Sequence, residues 1–423
     1  MRVTVLGAAG EVGRSGFLVE SDGTRMLLDY GVQMHREPLF LFPAHVRPRD
    51  VDALILSHAH LDHVGAAPLL YVSAGPASYG TPVTLYLSEL LLYDFLNISG
   101  PYLPFDSDAV RKFSRAYMMH GYDDDFKVKD CRVRFYDAGH IPGSAITEIE
   151  DGSGKKIVYT GDMNTVETQL LSGAKLPPVE PDILITENTY SYSDHVDRKQ
   201  EEERFVEAAK ETVESGGVFL VPSFAVGRAQ EIACILYAHR FKGNVYMDGM
   251  ALKTNQILLE NGDYVKDVDY LSRALARVEY VRDHGTRRRV VTEPSVIISP
   301  AGMLVGGASV FYNSQVARDP KSVIAIVSFQ VPGTPGARLL ERKEVTIDGR
   351  KYKKVLADVQ RYDFSSHLGR SELLRFFKEK IRGSPKVVIV HGEKDYSHKF
   401  SNTLKEDFGL EAIVPKMGEL IEA

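Results

Sequence analysis

Ser57-His58-Ala59-His60-Leu61-Asp62-His63 is the stretch from which the rest of the chain is best read. Four metal-ligand side chains, His58, His60, Asp62 and His63, fall within six positions of it. The apolar run Ala53-Leu54-Ile55-Leu56 in front reads as a buried strand, and Val64–Val72 behind it reads as a helix. The cluster therefore sits where a strand ends and a helix begins. There the backbone can turn and aim alternate side chains into one pocket. Imidazole nitrogens suit zinc and neighbouring divalent ions, and a carboxylate joins them or a second ion. A single loop histidine is ordinarily only solvated; four ligand types at this spacing point to a metal site.

The chain has 423 residues, enough for two or three domains of ordinary size. With 44% hydrophobic and 26% charged residues its balance is that of an ordinary globular protein. No apolar stretch approaches the roughly 20 residues of a membrane-spanning helix, so no membrane association is expected. The start, Arg2-Val3-Thr4-Val5-Leu6, is strand-like and lacks the basic-then-apolar pattern of a secretory leader. Cys131 and Cys234 are the only cysteines, without disulfide-framework or ligand spacing. A reducing, cytoplasmic location is the expectation. The formal net charge of −6 argues against a protein that coats nucleic acid over its whole surface, but not against local grip on a phosphate chain.

Short β-rich runs dominate the beginning. Gly16–Ser21 and Thr24–Asp29 flank Asp22-Gly23, a hairpin signal. Val83–Leu87 reads as another strand, followed by helical periodicity over Ser88–Asn97 and Asp106–Met118. Cys131–Asp137, Ala145–Glu150, Lys156–Thr160 and Asp182–Thr186 read as strands. From about Ser191 helices and strands alternate: Arg198–Ser215, Gly217–Val221, Val226–His239, Asn244–Met247, on to Val323–Ser328. That alternation predicts a parallel α/β unit. A basic hairpin-like stretch, Lys343–Val359, precedes Leu373–Lys380, Lys386–Val390, Asn402–Phe408 and Ala412–Val414. Two layouts fit: two domains in series, or one domain interrupted by another.

More ligand types recur at strand ends. Asp137-Ala138-Gly139-His140, Thr160-Gly161-Asp162 and Val390-His391-Gly392 each follow a strand, and Asp29 ends one before Tyr30-Gly31. Singly, each is an ordinary loop residue, and Asp29 reads equally well as a group that orients a ligand histidine. If His58, His60 and His140 hold one metal and Asp62, His63 and His391 another, Asp162 can bridge them. About four ligands per ion then result once a shared water is counted. Such a pair suits phosphoryl hydrolysis, because it acidifies the water and stabilises transition-state charge.

His58-Ala59-His60-Leu61-Asp62-His63, His140 and Asp162, with Asp29 upstream, resemble the metallo-β-lactamase motifs in order and spacing. The wider resemblance is to the β-CASP nucleases. Glu187-Asn188-Thr189-Tyr190 is similar to their motif A, Phe364-Ser365-Ser366-His367 to motif B, and Val390-His391-Gly392-Glu393 to motif C. Pro222–Glu231, Ser299–Met303 and Phe329–Thr334 resemble segments of the 3′-end endonuclease of the cleavage and polyadenylation specificity factor. The resemblance spans nearly the whole chain. It implies an α/β fold, an αββα sandwich, with a β-CASP domain over 191–357 inserted between 1–190 and 358–423. A histidine at motif C implies RNA rather than the DNA of Artemis-type members. The overall likeness is to short archaeal factor-like ribonucleases and to RNase J. One departure stands out: many relatives have His-x-Asp at motif B, where this chain has His367-Leu368-Gly369.

What the resemblance implies is a zinc-dependent ribonuclease with two Zn2+ (Mn2+ as substitute) on His58, His60, Asp62, His63, His140, Asp162 and His391. Asp62 would also orient the attacking water, His367 would act as general acid, and Glu187 would hold its imidazole. Internal cutting and 5′-3′ exonuclease action both remain open. Ser223, Arg228, Ser365 and Ser366 are candidate contacts to the phosphates of single-stranded RNA; the bland alternatives are caps, turns and a surface arginine. Arg287-Arg288-Arg289 and Arg350–Lys354 are basic runs of a kind that can track an RNA backbone, but charge runs are more often solvated faces, and they are left out of the candidate site. A homodimer or an RNA-processing complex fits such a protein. The competing functions are a DNA nuclease, a small-molecule hydrolase and a non-catalytic scaffold subunit of a processing complex. The length of 191–357 and the presence of His391 speak against the small-molecule enzyme.

Overall fold

The computed structural model describes residues 1–21, 23–34, 39–331, 333–347 and 351–423. Asp22 of the predicted hairpin turn, Pro332 of the Phe329–Thr334 segment and Arg350 of the basic run lie outside the described residues. The chain divides into two compact units. One comprises Met1–Glu167, Gly173–Asp194 and Ser366–Ala423; the other comprises Thr168–Ser172 and His195–Ser365.

The first unit holds two seven-stranded sheets. The first runs, in spatial order, Leu420–Glu422, Arg2–Val5, Phe17–Ser21, Thr24–Leu28, Ala53–Ile55, Ala77–Gly80 and Tyr117–Met119. The second runs Glu411–Ile413, Lys386–Val390, Ile183–Glu187, Lys156–Tyr159, Ala145–Glu150, Cys131–Asp137 and Asp125–Val128. Their apolar runs are nearly continuous because each central strand is buried on both faces. Met26, Leu28, Ala53 and Ile55 point into a core shared with Ile183, Ile185, Val388 and Val390 of the other sheet. Their neighbours Leu27 and Leu54 face the opposite way, onto Leu92, Phe95 and Phe113. Leu184, Val387 and Ile389 likewise face Phe376, Phe377, Phe400 and Leu404. Two sheets with helices on both outer faces are the αββα sandwich.

Three predicted elements differ. Val83–Leu87 is not a strand but the first part of the helix Pro82–Ser99. Thr81 caps it, accepting from the Thr84 amide, and Pro82 occupies the first turn, where its missing N–H costs nothing. The helix predicted over Val64–Val72 is two short pieces, Leu61–Val64 and the 3-10 turn Ala67–Tyr71. Asp106–Met118 divides into a helix, Ser107–Arg115, and a strand, Tyr117–Met119.

The second unit contains one six-stranded, wholly parallel sheet. Its order is Glu279–Val281, Val245–Asp248, Ser295–Ser299, Val218–Pro222, Val323–Ile326 and Asp358–Arg361. The last strand pairs with Val323–Ile326, so this unit extends past residue 357 to Ser365. Thr168–Ser172 belongs to it because the Glu231 carboxylate accepts the amides of Gln169 (3.1 Å) and Leu170 (2.8 Å). The strands Glu344–Ile347 and Lys351–Lys354, the second of them basic, pair antiparallel. Among the described residues no helix is long and apolar enough to cross a membrane.

Candidate active site

Six strands of the first unit each hand over a functional residue at or just beyond the carboxyl end. Thr24–Leu28 leads to Asp29, Ala53–Ile55 to His58–His63, and Cys131–Asp137 to His140. Lys156–Tyr159 leads to Asp162, Ile183–Glu187 ends on Glu187, and Lys386–Val390 leads to His391. Two of these strand ends are sharp: Asp29 and His391 adopt left-handed backbone, at φ 55° and 51°. Such geometry costs a non-glycine residue about 1–2 kcal/mol and persists where surrounding bonds impose it. The His391 amide donates to Ala8 O at 2.9 Å, and Thr189 Oγ1 donates to the His391 carbonyl at 3.2 Å.

All seven predicted metal ligands are brought together, in two adjoining groups. His58, His60, His140 and Asp162 place one ligand atom each within 4.8 Å of one another, and Asp62, His63 and His391 do the same. His60 Nδ1 lies 3.2 Å from both His58 Nε2 and His140 Nε2. His391 Nε2 lies 3.2 Å from Asp62 Oδ2. Asp162 touches both groups: Oδ2 is 3.7 Å from His58 and His140 Nε2 and 3.4 Å from His63 Nε2, and Oδ1 is 3.4 Å from His391 Nδ1. Asp162 Oδ1 is buried without a hydrogen-bond partner, costly for a carboxylate oxygen unless a cation takes it up. Nitrogen- and oxygen-rich donors converging on such an orphan fit divalent metal ions.

The far side of the His58, His63 and His140 rings is committed to an orienting bond. Asp29 Oδ2 accepts from His63 Nδ1 at 2.7 Å, leaving Nε2 to face Asp162. The same carboxylate accepts the Ser57 amide (2.7 Å), the Ser57 hydroxyl (2.6 Å) and the Tyr159 hydroxyl (2.7 Å). Asp29 is therefore the orienting group, not a member of either ligand cluster. Ser57 Oγ, its proton given to Asp29, takes His58 Nδ1 at 3.0 Å. The carbonyl of Ser366 accepts from His140 Nδ1 at 2.7 Å, and Ser144 Oγ accepts the His140 amide at 3.1 Å. Thr189 Oγ1 sits 3.2 Å from His391 Nδ1. Ser57 stands inside the opening stretch and Thr189 inside the Glu187–Tyr190 segment, but no local pattern marks Tyr159 or the Ser366 carbonyl.

Burial, then the neighbouring imidazoles, hold His58 and His140 well below the usual histidine range. Burial takes His60 down to about 4. Neutral imidazole is the form that binds metal. Burial opposes charge on His63 too, but Asp162 and Asp29 outweigh it and hold its pKa well above the ordinary value. Burial resists the charge on Asp62 and Asp162, and His391 and His63 override it, so both carboxyls stay ionised.

Glu187 is buried and grips His367: Oε2 and Oε1 lie 2.9 and 3.1 Å from His367 Nδ1. Oε1 also accepts the Met163 amide at 2.8 Å. The His367 ring lies 4.5 Å from that of His140, centroid to centroid. Burial lowers the His367 pKa, but the Glu187 and Asp162 carboxylates raise it further, to about 9. The predicted phosphate contacts divide between the units. Ser366 lies in the first and contributes its carbonyl to His140; Ser223, Arg228 and Ser365 lie in the second. The Ser223 hydroxyl is fully buried without a hydrogen-bond partner, and Arg228 opens the helix Arg228–Ala238, whose N-cap is Gly227 rather than a serine.

Three family models match in succession: the metallo-beta-lactamase superfamily over residues 9–205, the Beta-Casp domain over 229–339, and the Zn-dependent metallo-hydrolase RNA specificity domain over 352–415. The chain is 36% identical over 420 residues to RNase aCSPSF2 of Saccharolobus solfataricus, covering 99% of this chain and 84% of that one. It is 34% identical to probable RNase MJ4 of Methanocaldococcus jannaschii over 100% of both. A crystal structure of a protein of unknown function from Enterococcus faecalis matches the fold with a TM-score of 0.64 at 15% identity, covering 99% of each chain. The interrupted αββα sandwich, the parallel insert and these matches agree, and the chain belongs to the β-CASP branch of the metallo-β-lactamase superfamily.

Proposed function

We propose that this protein is a ribonuclease that hydrolyses phosphodiester bonds of single-stranded RNA with two zinc ions, manganese serving as substitute. The observation that carries the reading is the Glu187–His367 pair standing beside the seven-donor cluster. Relatives named as RNases over nearly the whole chain support RNA as the substrate. When bound, the ions supply Lewis-acid polarisation of the phosphate and a water of lowered pKa. His58, His60 and His140 with Asp162 would hold one ion, and Asp62, His63 and His391 with Asp162 the other. Asp62, one-third exposed, is the donor best placed to orient the attacking water. Glu187 accepts a hydrogen bond from the Nδ1–H of His367, so the Nε2–H is left to protonate the departing oxygen. Ser223 and Arg228 remain the proposed phosphate contacts of the inserted unit. The complete donor set favours a catalytic member over a non-catalytic subunit.

The test uses RNA labelled at either end and carrying a 5′-monophosphate or triphosphate. His60→Ala and His367→Ala both abolish cleavage, the second by about 10²–10⁴-fold, the usual contribution of a general acid. Elemental analysis finds metal lost only from the first. Wild-type-level cleavage by either variant would overturn the assignment of roles. The label pattern separates internal cutting from 5′-directed release.

A further inference from the structure

From the geometry we infer that Tyr192, backed by Tyr396, is a stacking platform for a nucleobase next to the scissile phosphate; this rests on the ribonuclease reading. A row of aromatic rings leads outward from His367. Its centroid is 6.1 Å from that of Tyr190, which is 5.9 Å from Tyr192, which in turn lies 4.4 Å from Tyr396 at an interplanar angle of 28°. Lys399 Nζ lies over the Tyr396 ring at 5.4 Å. The row passes from inside to outside: Tyr190 is buried at 8% exposure, whereas Tyr192 is 43% exposed.

The platform is held rigidly. Tyr192 sits in a turn whose flanking carbonyls are both bound by Arg370: its amide donates to Ser193 O at 3.0 Å and its Nη1 to Ser191 O at 3.1 Å. The Arg370 Nη2 is tied to Thr403 Oγ1 at 3.0 Å, on the same helix, Lys394–Phe408, that carries Tyr396 and Lys399. One arginine thus fixes the turn and the helix that together present the rings. A preformed aromatic face loses little entropy on binding. Aromatic faces beside cations are how single-stranded nucleic acids are held without reading sequence, since every base has a π-face and the phosphates meet the positive charge. Two ring spacings from the proposed general acid, a base stacked there would fix where the adjoining phosphate lies. The platform contributes position, not chemistry.

The experiment measures steady-state cleavage of a short single-stranded RNA by the full chain with zinc. One series of substrates carries a single abasic nucleotide moved along the positions flanking the cut. Tyr192→Ala is expected to raise KM about tenfold with kcat little changed, and Tyr192→Phe to behave as wild type. The loss should disappear with the substrate that lacks the base at one particular position, because platform and base then count once. Tyr396→Leu, which removes the backing ring, should give a smaller loss with the same positional signature. An unchanged KM in Tyr192→Ala, or an equal loss with every abasic substrate, would overturn the platform while leaving the ribonuclease reading intact. Absence of RNA cleavage by the wild-type protein would overturn both.

Discussion

Asp29 makes four hydrogen bonds with two oxygens, and through them it governs residues that no short segment contains: Ser57, His63 and Tyr159. Replacing it with alanine strands buried donors, each costing about 1–3 kcal/mol, and frees the His63 ring. Asp29→Ala should therefore weaken metal affinity about 10–100-fold, the usual cost of losing a group that orients a ligand, and lower denaturant stability as well. Tyr159→Phe removes one bond of the four and should do less of both; metal titration with parallel urea melts separates the two effects. Gly31 works by close approach instead. A Cβ there would stand 1.7 Å from the Asp62 carbonyl oxygen and 2.6 Å from the His63 amide. Gly31→Ala should displace the ligand turn and lose metal, and a variant with wild-type metal content would contradict this account. At this scale the converging donors were legible because their chemistry is concentrated at strand ends. Tyr159 was not, since a tyrosine closing an apolar strand reads as core until the fold brings Asp29 beneath its hydroxyl.

At the scale of elements, the helix Arg370–Lys380 follows His367 directly, and its N-cap is Gly369, which has no side chain to cap it. Asp194 does the work from elsewhere in the chain. Its Oδ1 accepts the Ser371 amide at 2.6 Å and its Oδ2 the Ser371 hydroxyl at 2.8 Å. Asp194→Ala should cost about 1 kcal/mol, the typical value of a lost cap, and Gly369→Asp in that background should recover most of it by capping locally. Thermal melts of the wild type and the two variants decide the matter, no recovery counting against the substitution of one cap for the other. The glycine closing the His367-Leu368-Gly369 segment was visible in the sequence; the acceptor that Asp194 supplies from 175 positions earlier was not, because capping in trans leaves no local pattern. Val83–Leu87 misled for a related reason: its apolar residues suit a strand, and only Thr81-Pro82 in front reveals a helix start. Asp151 gives a pH-dependent case. It accepts from the amides of Ser153 and Lys155 and from the hydroxyls of Ser153 and Ser21, joining a hairpin turn of one sheet to a strand of the other. Burial pushes its carboxyl up, but these bonds prevail and hold it at about 2. A depressed carboxylate stabilises the fold fully above its unfolded pKa, near 4, and loses that contribution as pH falls through the folded value. The gap in melting temperature between wild type and Asp151→Ala should thus be constant above about pH 4 and narrow toward pH 2.

On the scale of the molecule, the two units share a chain but not the chemistry of the metal donors. All seven donors, with Asp29, Glu187 and His367, belong to the unit built from Met1–Glu167, Gly173–Asp194 and Ser366–Ala423. Helix-strand alternation after a β-rich start left two layouts open, and the interruption was legible only through the resemblance, whose motif C places His391 on a strand after the insert. Its exit was harder to see, since Asp358–Arg361 is a short edge strand whose allegiance depends on its partner, Val323–Ile326. The segregation has a thermodynamic consequence. An ion that binds only the folded state stabilises it by about 2.7 kcal/mol at a hundredfold excess over Kd, and that gain belongs to whatever unfolds with the site. Removing metal also leaves a buried Asp162 oxygen without a hydrogen-bond partner. Hydrogen exchange before and after chelation should therefore show lost protection in Ala53–Ile55, Lys156–Tyr159 and Lys386–Val390, whose carboxyl ends carry the donors. The parallel strands Val218–Pro222 and Ser295–Ser299 of the other unit should exchange as before. Equal loss in both sets would mean that the units unfold as one and that metal stabilises the whole chain. No loss in either would mean that the donors hold no metal that matters to folding.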